Sequence, residues 1–162
     1  MERLFIAAWP DAATVEALAA LPRPDEEGVR WVPAAQWHVT MRFLGDCAPA
    51  GLIERLERAE LRGCVARLGP AVDWLGRQLV VPVSGTDHLA AAVVAATADL
   101  GEPPRSPFRG HLTVARTRRG ATSELVGHPC SASFRVAELA LVHSELSPDG
   151  PRYTEVSRCR LG

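Results

Sequence analysis

The sequence predicts an α+β protein built as two similar lobes rather than one doubly wound sheet. Two observations carry this. A tetrapeptide of one pattern occurs twice, His38-Val39-Thr40-Met41 and His111-Leu112-Thr113-Val114, too far apart for one element to hold both. Around each copy, short apolar runs alternate with helix-like stretches, so each half of the chain holds one His-x-Thr strand. The length of 162 residues and the 47% apolar content suit one domain, or two small lobes sharing a cleft, with a full core.

Taken in order, residues 3–9 form a short apolar strand stopped by Pro10. Pro10-Asp11 opens a helix to about position 21, with Ala12, Val15, Leu18 and Ala19 on one face. Prolines, acids and a glycine make 21–28 a loop, and 30–32 is a short extended piece before Pro33. The first motif strand covers 37–44 and ends at Gly45-Asp46. A second helix follows from 48 to 60, burying Leu52, Ile53 and Leu56. Strands are expected at 64–68, broken by Gly69-Pro70, and at 78–83. Ser84-Gly85-Thr86-Asp87 caps an alanine-rich third helix to position 100, where Gly101 stops it. The second motif strand is 111–117. Residues 118–133 read as polar loop with a helical turn at 123–126. Residues 134–146 and 152–161 form a closing hairpin around Ser147-Pro148-Asp149-Gly150.

Alternation along a strand puts His and Thr of each motif on one face. Val39, Met41 and Phe43 then point to the other face, as do Leu112 and Val114; Arg42 continues the front of the first strand, and Arg116 falls just past the second. Five His and eight Thr give only about 0.25 chance matches to His-x-Thr, so two matches with matching apolar positions call for a function. A histidine titrates near neutral pH, so two facing each other can remove one proton and deliver another. A Thr hydroxyl beside each can donate to an oxygen held between them, and Arg suits a phosphate in displacement. His88, His128 and His143 have no Thr two residues later and read as surface or structural. His38 and His111 lack an acid or His at i+4 and a Cys pair, so no metal and no cofactor is expected.

At these residues the chain resembles the 2H phosphoesterases, in particular the RNA 2′,3′-cyclic phosphodiesterases, also called 2′-5′ RNA ligase-like proteins. The resemblance covers nearly the whole chain: RLFIAAWP, RWVPAAQWHVTMRFLGD, PFRGHLTVAR and LVHSELSPDGPRY. It departs at Gly110, where the family usually has Pro, implying a looser entry into the second strand, and in the shortened stretch between the halves. The resemblance implies two antiparallel sheets with helices outside and a cleft where the His/Thr fronts meet. It implies hydrolysis of RNA-terminal 2′,3′-cyclic phosphate to 2′-phosphate, reversible as 2′-5′ ligation. His38 would be the proton donor, His111 the proton acceptor, Thr40 and Thr113 the ligands of nonbridging oxygens, and Arg116 the phosphate-binding arginine. Arg42 and Arg109 are further substrate-binding candidates. Trp31 and Phe108 either stack a base or pack the cleft wall, and Ser144 and Tyr153 read as structural.

Composition narrows the partners. Net charge is −1, so no broad basic surface invites long nucleic acid. All eighteen basic residues are Arg, each a planar fork suited to phosphate. Cys47, Cys64, Cys130 and Cys159 form no C-x-x-C pair, and no run resembles a signal or membrane span, so a cytoplasmic monomer with free thiols is expected. The partners are RNA ends or nucleotides carrying a 2′,3′-cyclic phosphate. Two rivals stay open: a 2H phosphoesterase for a small cyclic nucleotide or ADP-ribose derivative, and a module that binds RNA ends without turnover.

Overall fold

Ten strands and three helices make up the protein in a computed structural model that describes residues 2–162. The strands are β1 (Glu2–Ala8), β2 (Val29–Trp31), β3 (Val39–Cys47), β4 (Cys64–Leu68), β5 (Asp73–Leu75), β6 (Gln78–Ser84), β7 (His111–Thr117), β8 (Ala132–Val136), β9 (Glu138–Ser147) and β10 (Gly150–Arg160). The helices are α1 (Ala12–Ala19), α2 (Leu52–Arg58) and α3 (Asp87–Ala96). The strands run antiparallel in the order β10-β9-β1-β3-β7-β6-β4-β8, with β2 also on β7 and β5 on β6.

This path falls into two lobes because β3 and β7 share one ladder pair, Val39 with Leu112. On one side lie β10, β9, β1 and β3; on the other lie β7, β6, β4 and β8. The lobes are therefore not the two halves of the chain, since β9 and β10 return to join β1. The expected single strand over 134–146 is two strands in different lobes. β8 pairs with β4, the chain turns at Ala137, and β9 pairs with β1. Local apolar pattern cannot show this, because both pieces are apolar and only their partners differ. The hairpin of β5 with β6 is an element missed in the sequence. Its signal is the Gly76-Arg77 turn, with Gly76 at φ 57°.

The helices are shorter than expected. Asp11 caps α1, its carboxylate accepting from Thr14 N–H at 2.9 Å, and the helix buries Thr14 and Leu18. α2 starts only after Gly51, which sits in the left-handed region at φ 78°. α3 stops at Ala96 because Thr97 ends it, and the chain then turns back against β3. There Gly101 is required: a Cβ on it would lie 2.4 Å from Leu44 O. The helices pack on the sheet, α1 against β8, α2 against β10 and α3 against β3.

Candidate active site

The apolar run of β1 does not alternate because both of its faces are covered. Leu4, Ile6 and Ala8 enter the main core. Phe5 and Ala7 join Ala140 and Val142 in a second small cluster, with Trp9 and Tyr153 packed over it. His38 rests on this aromatic bed, its ring 4.9 Å from Phe5, 5.9 Å from Trp9 and 5.5 Å from Tyr153.

The single pair that joins the lobes consists of the middle residues of the two motifs. Val39 and Leu112 point into the core, both fully buried, so His and Thr of each motif face the opposite side. The antiparallel sense sets His38 beside Thr113 and Thr40 beside His111, a local twofold arrangement. The histidines are anchored alike. Nδ1 of His38 lies 2.6 Å from Gln36 O, and Nδ1 of His111 lies 2.7 Å from Arg109 O. A carbonyl only accepts, so each ring donates through Nδ1–H and keeps Nε2 for other work. Burial, and then the charges of Arg116 and His111, hold the His38 imidazole below its ordinary 6.5.

Each strand carries a β-bulge directly after its Thr. Opposite β1, Thr40 and Arg42 have partners and Met41 has none; opposite β6, Thr113 and Ala115 have partners and Val114 has none. A bulge reverses the alternation beyond it. Phe43 therefore turns outward, 43% exposed, while Arg42 turns inward and is 4% exposed. This corrects the expected front face of β3. The Arg42 guanidinium instead donates to Thr97 O, to Leu100 O at 2.7 Å and to Glu102 O at 3.2 Å. In β7 the same device turns Arg116 toward the cleft from within the strand, not past its end. Arg116 reaches across the lobes to the Tyr153 hydroxyl at 3.4 Å.

Thr113 is held by Gln78, their side-chain oxygens 2.8 Å apart. Thr40 and His111 form one end of a groove of about 820 Å³ that runs between β3, α3 and the 102–109 loop. On its other side His111 borders a smaller cavity of about 550 Å³ with Arg77, Gln78, Arg116 and Thr117. The paired motif strands set two Nε2 atoms, two hydroxyls and a guanidinium on one side of the sheet. That set can move two protons and stabilise an anionic oxygen between them.

A family described as LigT-like phosphoesterase matches residues 9–63. The RNA 2′,3′-cyclic phosphodiesterase of Thermus thermophilus is 32% identical, over 98% of this chain and 90% of that one. The chain belongs to this family. Among the LigT-like phosphoesterases, the RNA 2′,3′-cyclic phosphodiesterase of Methanothermobacter thermautotrophicus is 30% identical over 82% of this chain and 83% of that protein. The crystal structure of E. coli LigT in its apo form superposes with a TM-score of 0.79 at 30% identity, covering 99% of this chain and 97% of that chain. The same protein complexed with 3′-AMP gives 0.77.

The remaining expectations divide. Phe108 and Arg109 line the large groove. Trp31 does not join them: its indole N–H donates to Pro24 O at 3.3 Å and its ring packs on the core. Gly110 does not loosen the second strand. Its carbonyl accepts from Val83 N–H at 2.9 Å, and a Cβ on it would lie 2.3 Å from Val83 O. Close backbone approach is thus the reason for glycine there. Phe5, Trp9 and Gln78 escaped the sequence reading, and Tyr153 was read as structural although it touches both His38 and Arg116. Only Gln78 carried a local signal, a polar residue opening an apolar strand.

The four cysteines are unpaired. Among the described residues, no helix is long and apolar enough to cross a membrane.

Proposed function

We propose that this LigT-like phosphoesterase hydrolyses RNA-terminal 2′,3′-cyclic phosphate to a 2′-phosphate. The observation behind the reading is the twofold pair of histidines, each with Nδ1 fixed on the carbonyl two residues earlier. The names of the relatives, both RNA 2′,3′-cyclic phosphodiesterases, supply the substrate class.

His111 Nε2 takes a proton from water as the water oxygen bonds to phosphorus. The P–O3′ bond breaks, and His38 Nε2 delivers its proton to O3′. The product is a 2′-phosphomonoester with a free 3′-hydroxyl, and proton exchange with solvent resets the pair. Thr40 and Thr113 hold the nonbridging oxygens. Gln78 carries both a donor and an acceptor, so it keeps Thr113 in place while the hydroxyl proton turns to phosphate. Arg116 offsets the charge that grows on phosphorus. With a 5′-hydroxyl in place of water as the nucleophile, the same steps in the same direction join 2′-5′ ends; run backwards, they split such a bond and close the cyclic phosphate.

One observation favours the opposite roles. With its pKa lowered by burial and by Arg116, His38 is neutral near pH 7, which suits a base. A bound phosphodiester anion counters Arg116 and returns the proton, which suits an acid. Chromatography of the hydrolysed cyclic nucleotide against both isomers identifies the bond that breaks. Mainly 2′-phosphate is expected; mainly 3′-phosphate overturns cleavage at O3′ and with it His38 as the acid delivering a proton there, and no turnover removes the reading.

A further inference from the structure

We infer that Gln36 is a positioning residue. The β9–β10 hairpin holds its side chain, and the backbone carbonyl of the same residue, steadied by that bond, fixes the ring of His38. The kinetic half of the inference rests on the reaction proposed above.

Both bonds are short and both belong to one residue. The Gln36 side-chain amide donates to Pro151 O at 2.7 Å, and Gln36 O accepts from Nδ1–H of His38 at 2.6 Å. The first bond spans 115 positions of sequence and ties the entry of β3 to β10 at the edge of its lobe. What the two bonds fix is the peptide unit between Gln36 and Trp37. The N–H of that unit donates to Ala34 O at 3.2 Å and closes a single 3₁₀ turn, Ala34–Gln36, which has no side-chain cap. A turn so short holds little by itself. Trp37 pins the unit from the core, its indole N–H donating to Val32 O at 3.1 Å. Gln36 pins it from the hairpin. Without the second pin the peptide can rotate and carry its carbonyl away from Nδ1.

The hairpin is a firm anchor because its tip is itself held. The Ser147 hydroxyl donates to Gly150 O within the turn. Arg30 of β2, a strand paired with β7 of the other lobe, donates to Asp149 O. Gly150 permits that approach, since a Cβ there would lie 3.3 Å from the Arg30 guanidinium. Two residues after Pro151, Tyr153 sets its ring 5.5 Å from that of His38 and its hydroxyl 3.4 Å from the Arg116 side chain. β10 thus reaches His38 twice, through Gln36 and through Tyr153.

The chemistry needs this anchor. A neutral imidazole has one proton for two nitrogens, and the partner of one nitrogen decides which atom carries it. With Nδ1–H on Gln36 O, Nε2 is left to exchange a proton with the substrate. With the carbonyl turned aside, the proton is free to sit on Nε2 and the ring is free to turn.

The test uses Gln36→Met, which keeps the length of the side chain and removes the donor. Long-range ¹H–¹⁵N spectra of histidine-labelled protein, taken above the His38 pKa, report the tautomer without any turnover. The rings are assigned from the His38→Ala and His111→Ala spectra. Wild-type His38 should carry Nδ1–H; in the variant its signals should move toward the Nε2–H form while those of His111 stay. On a 2′,3′-cyclic nucleotide kcat should fall by roughly tenfold or more with KM little changed, as for a misplaced reacting group. The bond from Gln36 O favours the charged ring, so the limb of the pH profile set by His38 should move to lower pH. The charged and titratable groups that face His38 are Tyr153 of β10 and Arg116 and His111 of β7, and the variant leaves all three in place. A variant that melts earlier but keeps the wild-type tautomer, kcat and pH limb overturns the inference, because the bond is then only structural. Nε2–H on wild-type His38 overturns it too. If wild type does not hydrolyse the cyclic nucleotide, the proposed reaction is wrong and the spectra alone decide for Gln36, an unchanged tautomer overturning its role. Should the Met variant fail to fold, Gln36→Asn, polar but one methylene too short for Pro151 O, is held to the same outcomes.

Discussion

His38 and His111 share one anchoring pattern but not one environment. His38 is embedded in Phe5, Trp9 and Tyr153, whereas His111 stands at the junction of two cavities. Replacing either by Ala should lower kcat by about 10²–10⁴, the usual worth of general acid–base catalysis. His88→Ala, out on α3, should change turnover less than twofold in the same steady-state assay; a comparable loss there would displace the pair from its role. The lowered pKa of His38 gives a signed pH prediction. As an acid His38 must be charged, so kcat/KM falls as pH rises through its value below 6.5. Arg116 is one cause of the lowering, so Arg116→Gln should move that alkaline limb to higher pH while reducing the rate. Movement of the acid limb instead would mark His38 as the base.

At the scale of elements, two bulges and one tight entry decide what each motif strand presents. The bulges sit at equivalent places, Met41 and Val114, and deliver different residues three positions after the Thr: Phe43 in β3 and Arg116 in β7. The local twofold is thereby broken into an aromatic side and a cationic side. Gly110 controls the entry to β7, since any Cβ there meets Val83 O at 2.3 Å. Gly110→Ala must push the backbone aside just before His111. It should lower the urea midpoint by the equivalent of about 1–3 kcal/mol and reduce kcat with it. An unchanged midpoint would show that β6 and β7 can slide apart without penalty.

For the whole molecule, the question is what holds two lobes in register when their sheets share one residue pair. α3 supplies much of the answer, packing on β3 although it connects β6 to β7. Arg42 fastens its far end. A buried guanidinium from β3 binds carbonyls of Thr97, Leu100 and Glu102 where the helix presents its negative end. The chain just beyond leads through the groove loop to Arg109, whose carbonyl orients His111. Arg42→Met would remove the guanidinium donor from all three carbonyls and leave Thr97 O only the Leu100 N–H. It should cost about 2–4 kcal/mol in chemical denaturation and lower kcat through the displaced loop. A variant of wild-type stability would mean that water replaces the guanidinium there.

The sequence by itself determined which motif side chains share a face and most of the elements. His-x-Thr at strand spacing places both groups on one face wherever the strand goes, and the extents of β4 and β7 follow from apolar runs with clear breaks. Those are local properties, set within a few residues by period and turn chemistry. Tertiary structure alone decided which strands are neighbours. The split of 134–146 between the lobes and the return of β9 and β10 to β1 depend on pairing between residues far apart in the chain. It also decided the exchange of Arg42 for Phe43, because a bulge is defined by the partner strand that skips a residue. Trp31 and Tyr153 changed places in importance for the same reason. An aromatic residue's role depends on what lies across from it: Pro24 and the core for Trp31, His38 and Arg116 for Tyr153.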